Sequence, residues 1–125
     1  MANEISVTSI LTCTKAAQTV TGLLVKLITL TGSNMFAGVQ NLDVAGTPEL
    51  IVYPAGLLAE GITYVWFKNL DATNYIEIAL DNFTNIFTKL LAGQVTLLRC
   101  HTASPTHYAR ANTGACLLQI VAVGT

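Results

Sequence analysis

The sequence predicts an all-β domain, an antiparallel β-sandwich of jelly-roll-like form or a barrel, with about eight to ten short strands. Three observations carry this reading. Thr, Val and Ile are abundant while helix-favouring Glu, Lys and Arg are scarce. Gly, Asn, Asp and Pro punctuate short apolar runs along the whole chain. The 125 residues suit one domain, 1–125, long enough to bury a core.

Taken in order, residues 4–11 form the first expected strand. Residues 18–31 follow as two strands or one long bent one. Val20, Leu23, Leu24, Leu27 and Ile28 also fit a helical face, but Gly22, Gly32 and the Thr content favour a strand. A loop is expected around Thr31-Gly-Ser-Asn34. Residues 39–44 and 49–53 read as strands joined by the turn "VAGTPE". Further strands are expected at 62–68, 75–80, 85–90, 94–99, 107–111 and 115–123.

The stretch "YVWFKNLDATNYIEIAL", residues 64–80, reads as a hairpin. If Lys68 faces Tyr75, antiparallel register sets Phe67 against Ile76, Trp66 against Glu77 and Val65 against Ile78. Thr63, Val65, Phe67, Ile76, Ile78 and Leu80 then share a core face. Tyr64, Trp66, Lys68, Tyr75, Glu77 and Ala79 share the outer face, with Lys68 and Glu77 as diagonal neighbours. Asn69, Asp71, Thr73 and Asn74 are residues whose short side chains bond nearby backbone N–H groups, so the polar cluster is a turn that satisfies itself.

Charge is unusually thin. Charged residues make up 10% against the usual quarter, while 52% are hydrophobic, and the mean hydropathy is +0.56. A surface this poor in charge is expected to be covered by other subunits. The net charge of −1 offers nothing that would attract nucleic acid or an anionic membrane, so neither is expected as a partner. Lys26, Thr29 and Thr31 interrupt the most apolar run, so no membrane span is expected, and Glu4 near an N-terminus without a basic region argues against a signal peptide.

Catalytic patterns are absent from the sequence. Asp71 and Glu77 could serve as a carboxylate pair, but a turn acid and a strand-surface acid explain them better. Cys100-His101 with His107 and Cys116 lacks metal-ligand spacing, and the three cysteines (with Cys13) are expected as free thiols. No serine lies in a G-x-S-x-G context and no phosphate-binding glycine loop occurs, so no catalytic residue, metal or cofactor is expected. Arg99 and Arg110 flank "HTASPTH" and could form a small cationic patch. The candidate contact residues are therefore Tyr64, Trp66, Lys68, Tyr75, Glu77, Arg99 and Arg110.

Three segments carry a resemblance: "KNLDATNYIEI" (68–78), "FTKLLAGQVTLLR" (87–99) with a K-L-x-x-G-like turn, and "HYARANTGACLLQIVAV" (107–123). The chain resembles a family of small all-β bacteriophage virion proteins. The resemblance implies a non-enzymatic structural protein of the virion, assembled in the host cytoplasm. It most closely implies a capsid decoration or cement protein bridging capsid subunits, the alternative being a tail or tail-fibre component that contacts other virion proteins or a host glycan or protein. The partners expected on the decoration reading are the chain itself, as a homo-oligomer with a trimer favoured, and the major capsid protein or other virion proteins.

Overall fold

The computed structural model describes residues 3–15, 18–30, 35–101 and 105–124. Where the sequence suggested one domain over 1–125, the chain divides into two compact units, Met1–Ser33 and Asn34–Thr125. The first is a two-stranded antiparallel ribbon, β1 (Asn3–Lys15) with β2 (Gln18–Leu30), in register from Asn3 opposite Leu30 to Lys15 opposite Gln18. The segment with helical periodicity is thus a single strand. A run rich in Thr, Val and Leu loses little by extending, because its stiff branched side chains suit the pleat better than a helical turn.

The second unit holds β3 (Met35–Leu42), β4 (Glu49–Leu50), α1 (Ala55–Glu60), β5 (Ile62–Asn69), β6 (Ile76–Ala79), β7 (Ile86–Leu90), β8 (Val95–Arg99), β9 (Tyr108–Ala111) and β10 (Cys116–Gly124). They build two four-stranded antiparallel sheets, in the orders β3-β10-β5-β8 and β4-β9-β6-β7. The pairs β3·β10, β4·β9, β5·β8 and β6·β7 are those of one long hairpin rolled upon itself, and β10·β5 and β9·β6 knit the pairs into sheets. This is jelly-roll connectivity, an all-β sandwich without barrel closure.

That connectivity corrects the expected 64–80 hairpin. β5 pairs with β10 and β8 in the first sheet, whereas β6 pairs with β9 and β7 in the second. The chain crosses between layers at Asn69–Tyr75, and among the described residues of this unit the only consecutive strands that pair are β6 and β7. The turn chemistry nevertheless holds. Asp71 N–H donates to Asn69 Oδ1 at 2.9 Å, and the N–H groups of Thr73 and Asn74 donate to Asp71 Oδ1 at 2.8 and 2.6 Å. Side-chain capping specifies a local reversal without specifying which strand the chain meets next.

Strand alternation also survives the change of partner, because the period of two belongs to each strand alone. Val65 and Phe67 from one sheet meet Ile76 and Ile78 from the other, all fully buried, together with Leu118 and Ile120 of β10. Burial of each such side chain contributes about 1.5–3 kcal/mol. Three expected placements differ: Thr63 is half-buried, and beyond a register shift after Ile78 the expected outer residue Ala79 is fully buried while the expected core member Leu80 is exposed.

The short helix α1 has no counterpart in the sequence reading. Six residues after Pro54, without a side-chain cap, are too few to display helical periodicity. Its Leu57 is buried against the end of β10, where Gly124 lies so close that a Cβ would sit 2.5 Å from the Gly61 carbonyl oxygen.

Candidate interaction surface

The first sheet turns an unusually apolar face outward. Alternation along β5 that buries Val65 and Phe67 places Tyr64, Trp66 and Lys68 on the opposite side. Register sets Trp66 between Val121 of β10 and Leu97 of β8, with Ala37 of β3 beyond Val121. The neighbouring rows are Met35, Val123, Tyr64 and Arg99 on one side, and Val39, Gln119, Lys68 and Val95 on the other. Met35 is 66% exposed and Val39 56%, so these apolar side chains meet solvent. Leu117 extends the patch, and Lys68 and Arg99 are its only charges.

The outer face of the second sheet has the opposite character. One cross-strand row reads Arg110, Glu77 and Lys89. Arg110 donates from Nε and Nη2 to Glu77 Oε2 at 2.9 and 2.5 Å, and its guanidinium lies 4.6 Å from the centre of the Phe83 ring. Lys89 Nζ stands 3.7 Å from the Tyr75 ring centre. Acid, base and aromatic groups here partner one another.

The candidate contact residues are therefore divided between two opposite surfaces. Tyr64, Trp66, Lys68 and Arg99 lie on the first sheet, and Tyr75, Glu77 and Arg110 on the second. Three expectations are corrected by this division. Lys68 and Glu77 are not neighbours, since the acid pairs with Arg110 instead. Arg99 and Arg110 do not make one cationic patch. Tyr75 does not share an outer face with Trp66 and Tyr64.

Residues that the sequence reading passed over complete the apolar face: Met35, Val39, Val95, Leu97, Leu117, Val121 and Val123. Their signal was present in "CLLQIVAV" of β10, where apolar residues fall on both alternating positions. In an antiparallel sheet such a strand has no solvent side, unlike one that alternates apolar with polar.

A second apolar feature lies at the β4 end of the sandwich. Leu50, Val52, Leu58, Pro105 and Thr106, over Ile51 and Tyr53, line an open depression of about 350 Å³. Val52 is 65% exposed at its rim. Gln40 protects the adjacent strand edge: its Nε2 donates to the Leu50 carbonyl at 2.9 Å and its Oε1 accepts from Val52 N–H at 3.0 Å.

Several titratable groups are wholly or partly buried in the sandwich. Tyr53 Oη and His107 Nδ1 share a buried 2.6 Å hydrogen bond, and the His107 ring meets Phe67 edge-on with centroids 5.9 Å apart. Burial pushes His107 down to about 4 and raises Tyr53, while burial lifts the half-buried Cys100 to about 11. Neutral imidazole and protonated thiol are the forms favoured near neutrality. Cys116 is buried at the far end of β5 from Cys100, whose N–H donates to Thr63 O, and its thiol is likewise raised, by burial and then by Asp71. Cys13 lies where side chains are outside the described residues. Among the described residues no three His, Cys, Asp or Glu side chains gather as a metal site. No protein family, curated protein or solved structure matches the chain.

Proposed function

We propose that the protein is a non-enzymatic assembly component of a bacteriophage virion, most simply a decoration protein that stabilises the capsid by bridging its subunits. The observation that carries the reading is the apolar outer face around Trp66. A patch of valines, leucines and methionine spanning four strands is unfavourable in water, and such patches mark contact surfaces. The jelly roll serves capsid proteins, lectins and cupins alike, so the fold does not choose among them. The choice of a virion rests on the sequence resemblance.

The test is addition of purified protein to expanded capsids of the parent phage. Saturable binding at fixed stoichiometry with a raised capsid melting temperature is expected. Unchanged capsid melting at saturation overturns the decoration role. A Trp66→Ala particle that assembles normally but no longer adsorbs to host cells would assign the face to a tail protein instead.

A further inference from the structure

We propose that the outer edge of β1 pairs antiparallel with β1 of a second copy of this chain, joining two ribbons into one four-stranded sheet in the order β2-β1-β1-β2. The inference concerns the Met1–Ser33 unit and stands apart from the reading of the Trp66 face.

The ribbon of a single copy is an incomplete sheet. β1 and β2 form a two-stranded sheet of their own, and among the described residues neither has a further strand beside it. Two strands alone are marginal in water, whereas three or more with an apolar face can be stable by themselves. Thirteen residues at about 3.4 Å each give β1 an edge about 44 Å long, with a row of backbone N–H and C=O groups that β2 does not engage.

The residues select which edge is used and what it meets. Between Glu4 and Lys15, β1 carries no charge and no proline. β2 contains Lys26 and Gly22, the kinds of residue that blunt or weaken an edge. The edge strands of the sandwich, β3, β8, β4 and β7, are eight, five, two and five residues long, so none matches a thirteen-residue edge. Another β1 does. Its pattern is also symmetric about Ser9, with Ile5 and Val7 before it and Leu11 and Cys13 after it at the same intervals. An antiparallel pair centred on Ser9 sets Ile5 opposite Cys13, Val7 opposite Leu11 and Asn3 opposite Lys15 of the second copy. These apolar positions then share one face with Ile28 and Val20, the register partners of Ile5 and Cys13 on β2, while the row that holds the exposed Ser6 and Thr8 takes the other face. A slip by one residue would split the apolar set between the two faces.

Charge fixes the direction. Glu4 and Lys15 lie at opposite ends of β1. Antiparallel pairing brings Glu4 of each copy to the Lys15 end of the other, whereas parallel pairing would set like charge beside like. The same strand supplies both sides of the contact, so it is isologous, with a two-fold axis at Ser9, and it is complete at two copies. This symmetry differs from the trimer expected on the decoration reading.

The experiment uses the full chain carrying Cys13→Ser and one new thiol, followed by mild oxidation and a denaturing gel. Ser9→Cys places two thiols at the two-fold axis, where directly opposite Cα atoms lie about 4.5–5.5 Å apart, within disulfide reach. It should give a covalent dimer. Leu24→Cys, at the register partner of Ser9 on β2, should not. Far-ultraviolet circular dichroism matching wild type certifies the strands of both. On the Ser9→Cys chain, Glu4→Lys alone and Lys15→Glu alone should each slow cross-linking roughly tenfold at low salt, because both ends of the pair then oppose like charges. Mixed in equal amounts, these two charge variants should cross-link to each other as fast as the chain with unaltered charges, since each end again opposes acid to base. Absence of a Ser9→Cys dimer overturns the inference, as does a Leu24→Cys dimer formed equally fast, or a mixture of the charge variants that cross-links no faster than either alone.

Discussion

Asn69 is a fully buried polar side chain whose hydrogen bonds hold the crossing between the sheets. Its Nδ2 donates to the carbonyls of Asn74 and Leu90 at 2.8 and 3.0 Å, and its Oδ1 accepts from Asp71 N–H. Asn69→Leu removes all three bonds and buries the Leu90 carbonyl without this partner, so a loss of about 2–4 kcal/mol is expected in urea unfolding. A loss below about 1 kcal/mol would show that the crossing does not depend on it. His107 makes a prediction of a different kind. Its folded value of about 4 lies below its unfolded 6.5, so as pH falls the unfolded chain takes the proton first. Its contribution is complete above about 6.5 and is lost as pH falls toward 4, about 3 kcal/mol in all at 1.36 kcal/mol per unit. Asp71 and Asp81, held low by backbone N–H donors, act in the same direction at lower pH. The urea midpoint should fall between pH 7 and pH 4, and His107→Asn should flatten that slope; an equal slope in the variant would remove His107 as the cause.

Among the elements, two glycines in strands of the same sheet are expected to respond differently. A Cβ on Gly124 would lie 2.5 Å from the Gly61 backbone oxygen, at the junction where α1 turns into β5, and backbone on both sides has no room to retreat. A Cβ on Gly38 would instead lie 2.6 Å from the end of the Phe36 ring, which can rotate away. Gly124→Ala should therefore cost about 1–3 kcal/mol, and Gly38→Ala clearly less, in the same unfolding assay. Equal costs would contradict the close packing of α1 on β10. Edge protection belongs to the same scale. Gln40 occupies the Leu50 carbonyl of β4 and the Val52 N–H just beyond it, so Gln40→Leu should increase concentration-dependent light scattering without a large fall in stability.

For the whole molecule, the asymmetry between the outer faces matters most. The second sheet's Arg110, Glu77 and Lys89 row is internally partnered and suits solvent, while the first sheet's rows around Trp66 suit burial. Substitution on the two faces should accordingly have different consequences. Under the proposed assembly reading, Glu77→Gln should leave binding to the assembled particle unchanged and Trp66→Ala should weaken it at equal concentration; the reverse pattern would move the contact surface to the second sheet. The scarcity of charge noted in the sequence follows from this division, because one whole face carries only Lys68 and Arg99.

Local order was written plainly in the residues. The all-β class, the approximate bounds of β5 to β10, the inward set Val65, Phe67, Ile76 and Ile78, and the self-capped turn at Asp71 all follow from alternation and side-chain size, which act within a few residues. Pairing did not follow. A strand with two good edges can accept several partners at nearly equal local cost, and the choice of β10 and β8 for β5 is made by distant segments that complete both layers of the core. The same choice separated Lys68 from Glu77, gave Glu77 to Arg110 and sent Arg99 and Arg110 to opposite sheets. Composition announced that much of the surface is uncharged; only the folded arrangement of β3, β10, β5 and β8 gathered those uncharged residues onto one face, because their neighbours across the sheet come from four separate parts of the chain.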